Sequence, residues 1–207
     1  MALLRKIQWT LARRALAPVA IDDFRTWKGA TMMVAAWHVA REIERTSKAE
    51  NVGLLLPTSG LFPAALLGAW MAGRTAVPLN YLLSRSDLEY IARDAGLDTV
   101  VSVGPMLEHV GGELPGTRTL RMDQMKFGGM PPVRLGPARA ADDTLVILYT
   151  SGSSVITVSP KLWNCGSTPS ITSFAPNSAH STTCSTFEER LRSLSITPLG
   201  LPLVPLV

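Results

Sequence analysis

From Asn51 to Gly73 the chain carries no charged residue, a run of 23 positions between Glu50 and Arg74. A run of that length can cross a bilayer as one helix. Its interior, however, holds Pro57-Thr-Ser-Gly60 and then Pro63, which would break the helix and leave backbone groups unsatisfied in lipid. Two short buried elements joined by a turn avoid that cost. Val52–Leu56 is a continuous apolar run of strand length, as expected for a strand covered on both faces. Pro57–Gly60 is turn chemistry. Leu61–Ala72 then reads as a helix, with Pro63 tolerated in its first turn and Gly73 as a natural stop.

The same alternation continues. Thr31–Thr46 places Met33, Ala36, Trp37, Ala40 and Ile43 on one helical stripe, with Arg41, Glu42 and Glu44 off it. Thr75–Leu79 and Thr99–Val103 are further apolar runs, separated by Asp87–Ala95, a helix with Ser86 as its cap and Gly96 at its end. The Gly/Pro-rich stretch 104–140 reads as a loop with at most one short strand. Thr144–Tyr149 is a fourth strand. Repeated strand–helix–strand units predict an α/β fold with a mostly parallel sheet and flanking helices.

Composition separates a globular part from a tail. Residues 1–154 hold 31 of the 36 charged residues, 20 alanines and neither cysteine. The last 53 residues hold 16 Ser and Thr, six Pro, both Cys and five charges. Three prolines interrupt the apolar end from Ile196 to Val207, so it is neither a regular helix nor a central strand. Three segments are expected: an N-terminal basic helix in 1–21, an α/β domain in 22–154, and a Ser/Thr/Pro-rich irregular tail in 155–207 unable to build its own core.

A net charge of +4 permits an acidic partner. The Lys and Arg residues are nevertheless scattered rather than interleaved with aromatics, which argues against nucleic acid. Two cysteines are too few for a disulfide scaffold, so the chain reads as cytoplasmic. Residues 1–18 carry Arg5, Lys6, Arg13 and Arg14 without an acid. That pattern suits a helix lying across the domain surface, which is the favoured reading. It also suits peripheral contact with an anionic membrane, or a transit peptide. His38 beside Trp37 is structural or surface, and Met32, Met33 and Trp37 are core. His109 and His180 lack ligand-spaced neighbours, as do Cys165 and Cys184. Ser59 has no G-x-S-x-G frame and no assignable acid–base partners.

The chemistry lies after the fourth strand. Thr150, Ser151, Gly152, Ser153 and Ser154 put one glycine among four hydroxyls. Glycine lets the backbone approach an anion, successive N–H groups can form a nest, and hydroxyls add donors to phosphate oxygens. The spacing is neither a Walker loop nor a dinucleotide fingerprint.

Residues 142–154, Asp-Asp-Thr-Leu-Val-Ile-Leu-Tyr-Thr-Ser-Gly-Ser-Ser, resemble the opening of the phosphate-loop motif of the AMP-dependent synthetases and ligases. These adenylate-forming enzymes include acyl-CoA and acyl-carrier-protein synthetases. Val52–Asn80 is similar to the same family's early segment, in which a helix ends in Ala-Gly before a Val-Pro-Leu-Asn strand, and Ser86–Gly96 continues it. The three segments fall in order within 22–154. The resemblance implies activation of a carboxylic acid, a fatty acid in the first instance, with ATP and Mg²⁺ to an acyl-adenylate. The acyl group would then pass to the thiol of CoA or an acyl carrier protein. It assigns β- and γ-phosphate binding to Thr150, Ser151, Gly152, Ser153 and Ser154.

The match stops there. Val155 stands where the family loop continues with glycine, and Pro160-Lys161 falls about three residues late and precedes Leu162. The family's Tyr-Gly-x-Thr-Glu and Thr-Gly-Asp segments are missing from the sequence, as is its C-terminal lysine. With the composition break at Ser154, this reads as an N-terminal fragment followed by an unrelated tail, such as a frameshift would produce, and inactive by itself. The alternative is a non-catalytic α/β module or a membrane-surface protein.

Overall fold

A computed structural model describes residues 3–125, 127, 129–137 and 143–149, and the backbone of 155–158. In chain order the elements are α1 (Leu3–Arg13), β1 (Pro18–Ile21), β2 (Thr26–Lys28), α2 (Gly29–Thr46), β3 (Asn51–Leu55), α3 (Leu61–Met71) and β4 (Thr75–Pro78). There follow α4 (Arg85–Asp94), β5 (Thr99–Ser102), α5 (Gly104–His109), β6 (Arg118–Arg121), a 3₁₀ turn (Met122–Gln124), β7 (Val146–Tyr149) and β8 (Val155–Val158).

β1 and β2 form a small antiparallel hairpin, and the other strands form one sheet in the order β6-β5-β3-β4-β7-β8. The pairs β6–β5, β5–β3, β3–β4 and β4–β7 are all parallel, and β8 runs antiparallel to β7. The expected α/β class with a mostly parallel sheet is therefore present. The uncharged run from 51 to 73 is a strand and an 11-residue helix joined by a turn. Among the described residues no helix is long and apolar enough to cross a membrane.

The two faces of the sheet explain the unbroken apolar strands. Val52 and Leu54 of β3, Ala76 of β4 and Val101 of β5 pack with Val39 and Ile43 of α2 and with Ala65 and Ala69 of α3. Leu55, Val77 and Val100 face the other way, against Leu88, Ile91 and Ala92 of α4. Period-two alternation thus delivers apolar residues to both layers. α2 and α3 meet at Gly68, where an added Cβ would lie 2.7 Å from Val39 Cγ1 and 3.0 Å from the Ala36 carbonyl oxygen.

α1 packs on this layer through Leu4 and Leu11. Its exit also caps α2. Lacking a side-chain cap at Lys28, α2 donates its first N–H groups, from Gly29 and Ala30, to the carbonyls of Ala17 and Ala15 at 3.2 and 2.9 Å.

Three details differ from the sequence expectation. The cap of α4 is Ser84, not Ser86: its Oγ accepts the Asp87 N–H at 3.2 Å. Both serines sit before the same apolar run, so only the φ/ψ break decides between them. The stretch 104–140 holds a helix, α5, as well as the strand β6, because Pro105 occupies a first-turn position where its missing N–H costs nothing. Val155-Ile-Thr-Val158, four β-branched residues, adds a strand that was not anticipated at the start of the 155–207 segment.

Candidate functional site

In open parallel sheets, ligands bind beyond the carboxyl ends of the strands where the winding reverses. β3 leads through α3 to β4, and β4 leads back through α4 to β5 on the far side of β3. With α3 and α4 on opposite faces, the reversal lies between the ends of β3 and β4. β7 borders β4 on its other side.

The start of β7 is fixed by three bonds. Ala76 N–H and Trp70 Nε1–H donate to the Leu145 carbonyl at 3.0 and 2.9 Å, and the Thr75 hydroxyl donates to the Thr144 carbonyl at 3.1 Å. Its end is fixed by Tyr149, whose hydroxyl donates to Asp94 Oδ2 of α4 at 2.6 Å. Partial burial and then this bond to the carboxylate push the Tyr149 phenol well above the ordinary tyrosine range. Tyr149 and Val155 are register partners, so the chain leaves and re-enters the sheet at one place beside β4. The predicted phosphate-binding residues Thr150, Ser151, Gly152, Ser153 and Ser154 fall between those partners and lie outside the described residues.

The turn after β3 is held from the hairpin. Asp22 Oδ2 accepts the Trp27 indole N–H at 2.7 Å and the Gly60 N–H at 2.9 Å. Its Oδ1 accepts from Phe24 N and Arg25 N at 3.0 and 2.9 Å. The bonds from Trp27 and Gly60 outweigh desolvation and lower the Asp22 carboxyl to about 2. Trp27 is buried beneath the turn, and Arg25 covers its other face at 3.6 Å from the ring centroid.

At the amino ends of the strands, Asp98 accepts from Ser47 Oγ, Lys48 N and Ala49 N at 2.7, 2.7 and 2.9 Å. These bonds overcome partial burial and hold its carboxyl below the usual range. That group ties α2 to β5 and lies at the wrong end of the sheet for a ligand.

Of the residues weighed from sequence, His38 is buried, with Nε2 3.2 Å from the Gly129 carbonyl oxygen, and it meets Phe127 edge-on. Ser59 Oγ accepts the Leu61 N–H at 3.3 Å, a helix-start contact. Met32 and Met33 are core, and Trp37 is half-buried against it. His180, Cys165 and Cys184 lie outside the described residues. Sequence reasoning missed Asp22 and Asp94. The Asp22-Asp-Phe-Arg25 turn is a local signal for the first, whereas the partners of Asp94 and the reach of Asp22 to Gly60 have none.

The sequence model described as AMP-binding enzyme matches residues 7–161. The long-chain-fatty-acid–CoA ligase FadD13 of Mycobacterium tuberculosis is 30% identical over 121 residues, covering 52% of this chain and 23% of that protein. The chain therefore spans about a quarter of the length of this relative. Among solved structures, the nonribosomal peptide synthetase FmoA3 in its AMPPNP-bound form superposes with a TM-score of 0.66 at 22% identity. That match covers 76% of this chain and 17% of FmoA3. A benzoate CoA ligase from Burkholderia xenovorans LB400 gives a TM-score of 0.65 at 21% identity over 76% of this chain and 34% of its own. Both are likenesses of fold.

Proposed function

Because the chain belongs to the AMP-binding enzyme family, we propose that it carries the phosphate-binding part of an enzyme that activates a carboxylic acid with ATP. In this reading a carboxylate oxygen attacks the α-phosphorus of ATP, and the bond to the pyrophosphate oxygen breaks. The acyl-adenylate then yields its acyl group to the thiol of CoA or a carrier protein, with AMP leaving. A fatty acid is the proposed substrate class, supported by the likeness to a long-chain-fatty-acid–CoA ligase.

Thr150, Ser151, Gly152, Ser153 and Ser154 are assigned to the β and γ phosphates. Their donor set fits: backbone N–H groups, four hydroxyls, and a glycine that lets the phosphate approach. Donors placed where negative charge gathers on departing pyrophosphate stabilise the transition state electrostatically. Among the described residues no three His, Cys, Asp or Glu side chains stand together, so no role here is routed through Mg²⁺. Phosphate binding is the step assigned to these residues.

The observation that carries this reading is the place of the loop. In sequence it follows β7, which pairs parallel with β4 one strand away from the reversal, and its flanking residues Tyr149 and Val155 are register partners. Equilibrium dialysis with ATP tests it. The native chain should retain ATP, and the Ser151→Ala, Gly152→Val double variant should lose at least about tenfold in affinity, the scale of one lost hydrogen bond to a charged group. Equal retention by both chains would overturn the assignment.

A further inference from the structure

Away from the strand ends, an apolar groove of about 560 Å³ runs between α1, α2 and the segment 130–135, and no strand residue lines it. Apart from Arg5 and Gln8, every lining residue is apolar. Gln8 is buried and commits its Nε2–H to the Arg134 carbonyl at 2.9 Å. The rim residues Trp9, Met130 and Leu135 are 63%, 76% and 56% exposed, and large apolar side chains gathered at a surface mark a docking face. The lining therefore selects an occupant that is uncharged and apolar along its length. Trp9 of α1 and Trp37 of α2 give it an aromatic surface from each helix.

The chain itself carries such an occupant, outside the described residues. After Arg192 the remaining 15 residues hold no charge, and residues 196–207 set one Ile, four Leu and two Val around Pro198, Pro202 and Pro205. The prolines fix their own φ and hold the preceding residues extended. That favours the polyproline conformation and denies a regular helix or central strand. Such a segment cannot bury its leucines in an element of its own, whereas aromatic-lined grooves accept extended proline-rich chain at low entropic cost. With three residues per turn, Pro202 and Pro205 share one face and Leu203 and Leu206 the next, and residues 202–206 cover about 15 Å. The groove follows the chain from Arg5 along α1 to Ala15, also about 15 Å at helical rise. Reach is ample: 38 residues separate Val158, at the end of β8, from Ile196. They span up to about 125 Å, against a width of about 40 Å for a domain of this size.

We propose that residues 198–206 of the same chain seat in the α1–α2 groove as an extended polyproline segment. Pro202 and Pro205 lie against Trp9 and Trp37, and Leu203 and Leu206 lie over Met33 and Leu135. The seat is intramolecular, covers the exposed rim, and is independent of the phosphate loop and of ATP.

The test is calorimetric titration of two full-length chains, native and the Leu203→Asp, Leu206→Asp double variant, with a synthetic peptide of residues 188–207. Glu188, Glu189, Arg190 and Arg192 keep that peptide in solution. Charge at the two leucines should empty the groove, and the variant should then bind one peptide per chain. A tethered segment competes at an effective concentration of millimolar order, so the native chain should bind the peptide about tenfold more weakly, for a peptide Kd of about 0.1 mM. A peptide carrying Pro202→Ala and Pro205→Ala should lose about fivefold, the scale of two preorganising prolines. Placed in the double variant, Met130→Asp on the exposed rim should abolish peptide binding; Ala12→Asp, on the exposed side of α1, serves if that chain does not fold. Absence of saturable binding to the double variant overturns the proposal, as does equal affinity in the two chains or binding untouched by the rim changes. So does a native chain that sediments as a dimer where the double variant is a monomer, which would seat the segment in a second copy.

Discussion

Replacing Gly60 with alanine should destabilise the fold by about 2–4 kcal/mol, although nothing in the backbone demands glycine there. Gly60 has φ −63° and ψ −12°, a conformation open to any residue. The obstacle is space: an added Cβ would sit 2.0 Å from Trp27 Nε1 and 2.3 Å from Trp27 Cδ1. Trp27 is 1% exposed, and its N–H is committed to Asp22 at 2.7 Å, so the ring has no free direction of retreat. Overpacking costs about 1–3 kcal/mol, and full loss of a packed tryptophan sets a ceiling of about 3–5. The helix preference of alanine over glycine returns at most about 1 kcal/mol, because the site is a helix boundary rather than an interior. The steric term wins. In urea unfolding followed by fluorescence, the midpoint of Gly60→Ala should fall by about 0.7 M or more at unchanged slope, for slopes of about 1–3 kcal/mol/M. Trp27→Leu, which frees the space, should make the Gly60→Ala step far less costly. The reasoning is refuted if Gly60→Ala lies within about 0.5 kcal/mol of the native chain, or if the two changes simply add.

Two further outcomes follow from charge. Asp22 has a folded pKa of about 2 against an ordinary 3.8, so its contribution is present above about pH 4 and is lost as pH falls toward 2. The stability gap between the native chain and Asp22→Asn should accordingly shrink over that window in paired melts, and a gap independent of pH would show the carboxylate is not held. Tyr149 is shifted the other way, so the stability it lends is full below pH 10 and is lost as the phenol ionises above it. In an absorbance titration of phenolate, one of the three tyrosines should ionise late, and Asp94→Asn should move that step back toward the ordinary value.

What the sequence discloses of this fold is what short-range pattern controls. The uncharged run with Pro57–Gly60 inside it reads as strand, turn and helix, and the strands at 52–56, 75–79, 99–103 and 144–149 appear within a residue or two of those positions. α5 is hidden because Gly104-Pro105 looks like a loop until its first turn is recognised. Ser84 and Ser86 compete for the same cap on equal chemical terms. The groups that hold the site are less visible still. Asp22 reaches Gly60 across 38 residues and Tyr149 reaches Asp94 across 55, and no period or spacing records such pairings. The candidate loop is read from residue type and from its place after an apolar strand, and its residues lie outside the described ones.

The most direct measurement is an amide-resolved NMR titration of the chain with ATP. Binding of the triphosphate by the loop after β7 predicts progressive shifts at Thr150, Ser151, Gly152, Ser153 and Ser154, extending to Tyr149 and Val155, while Gln8, Ala30 and Met33 in the α1–α2 groove stay unmoved. Shifts confined to other parts of the sheet, or none at saturating ATP, would contradict the account.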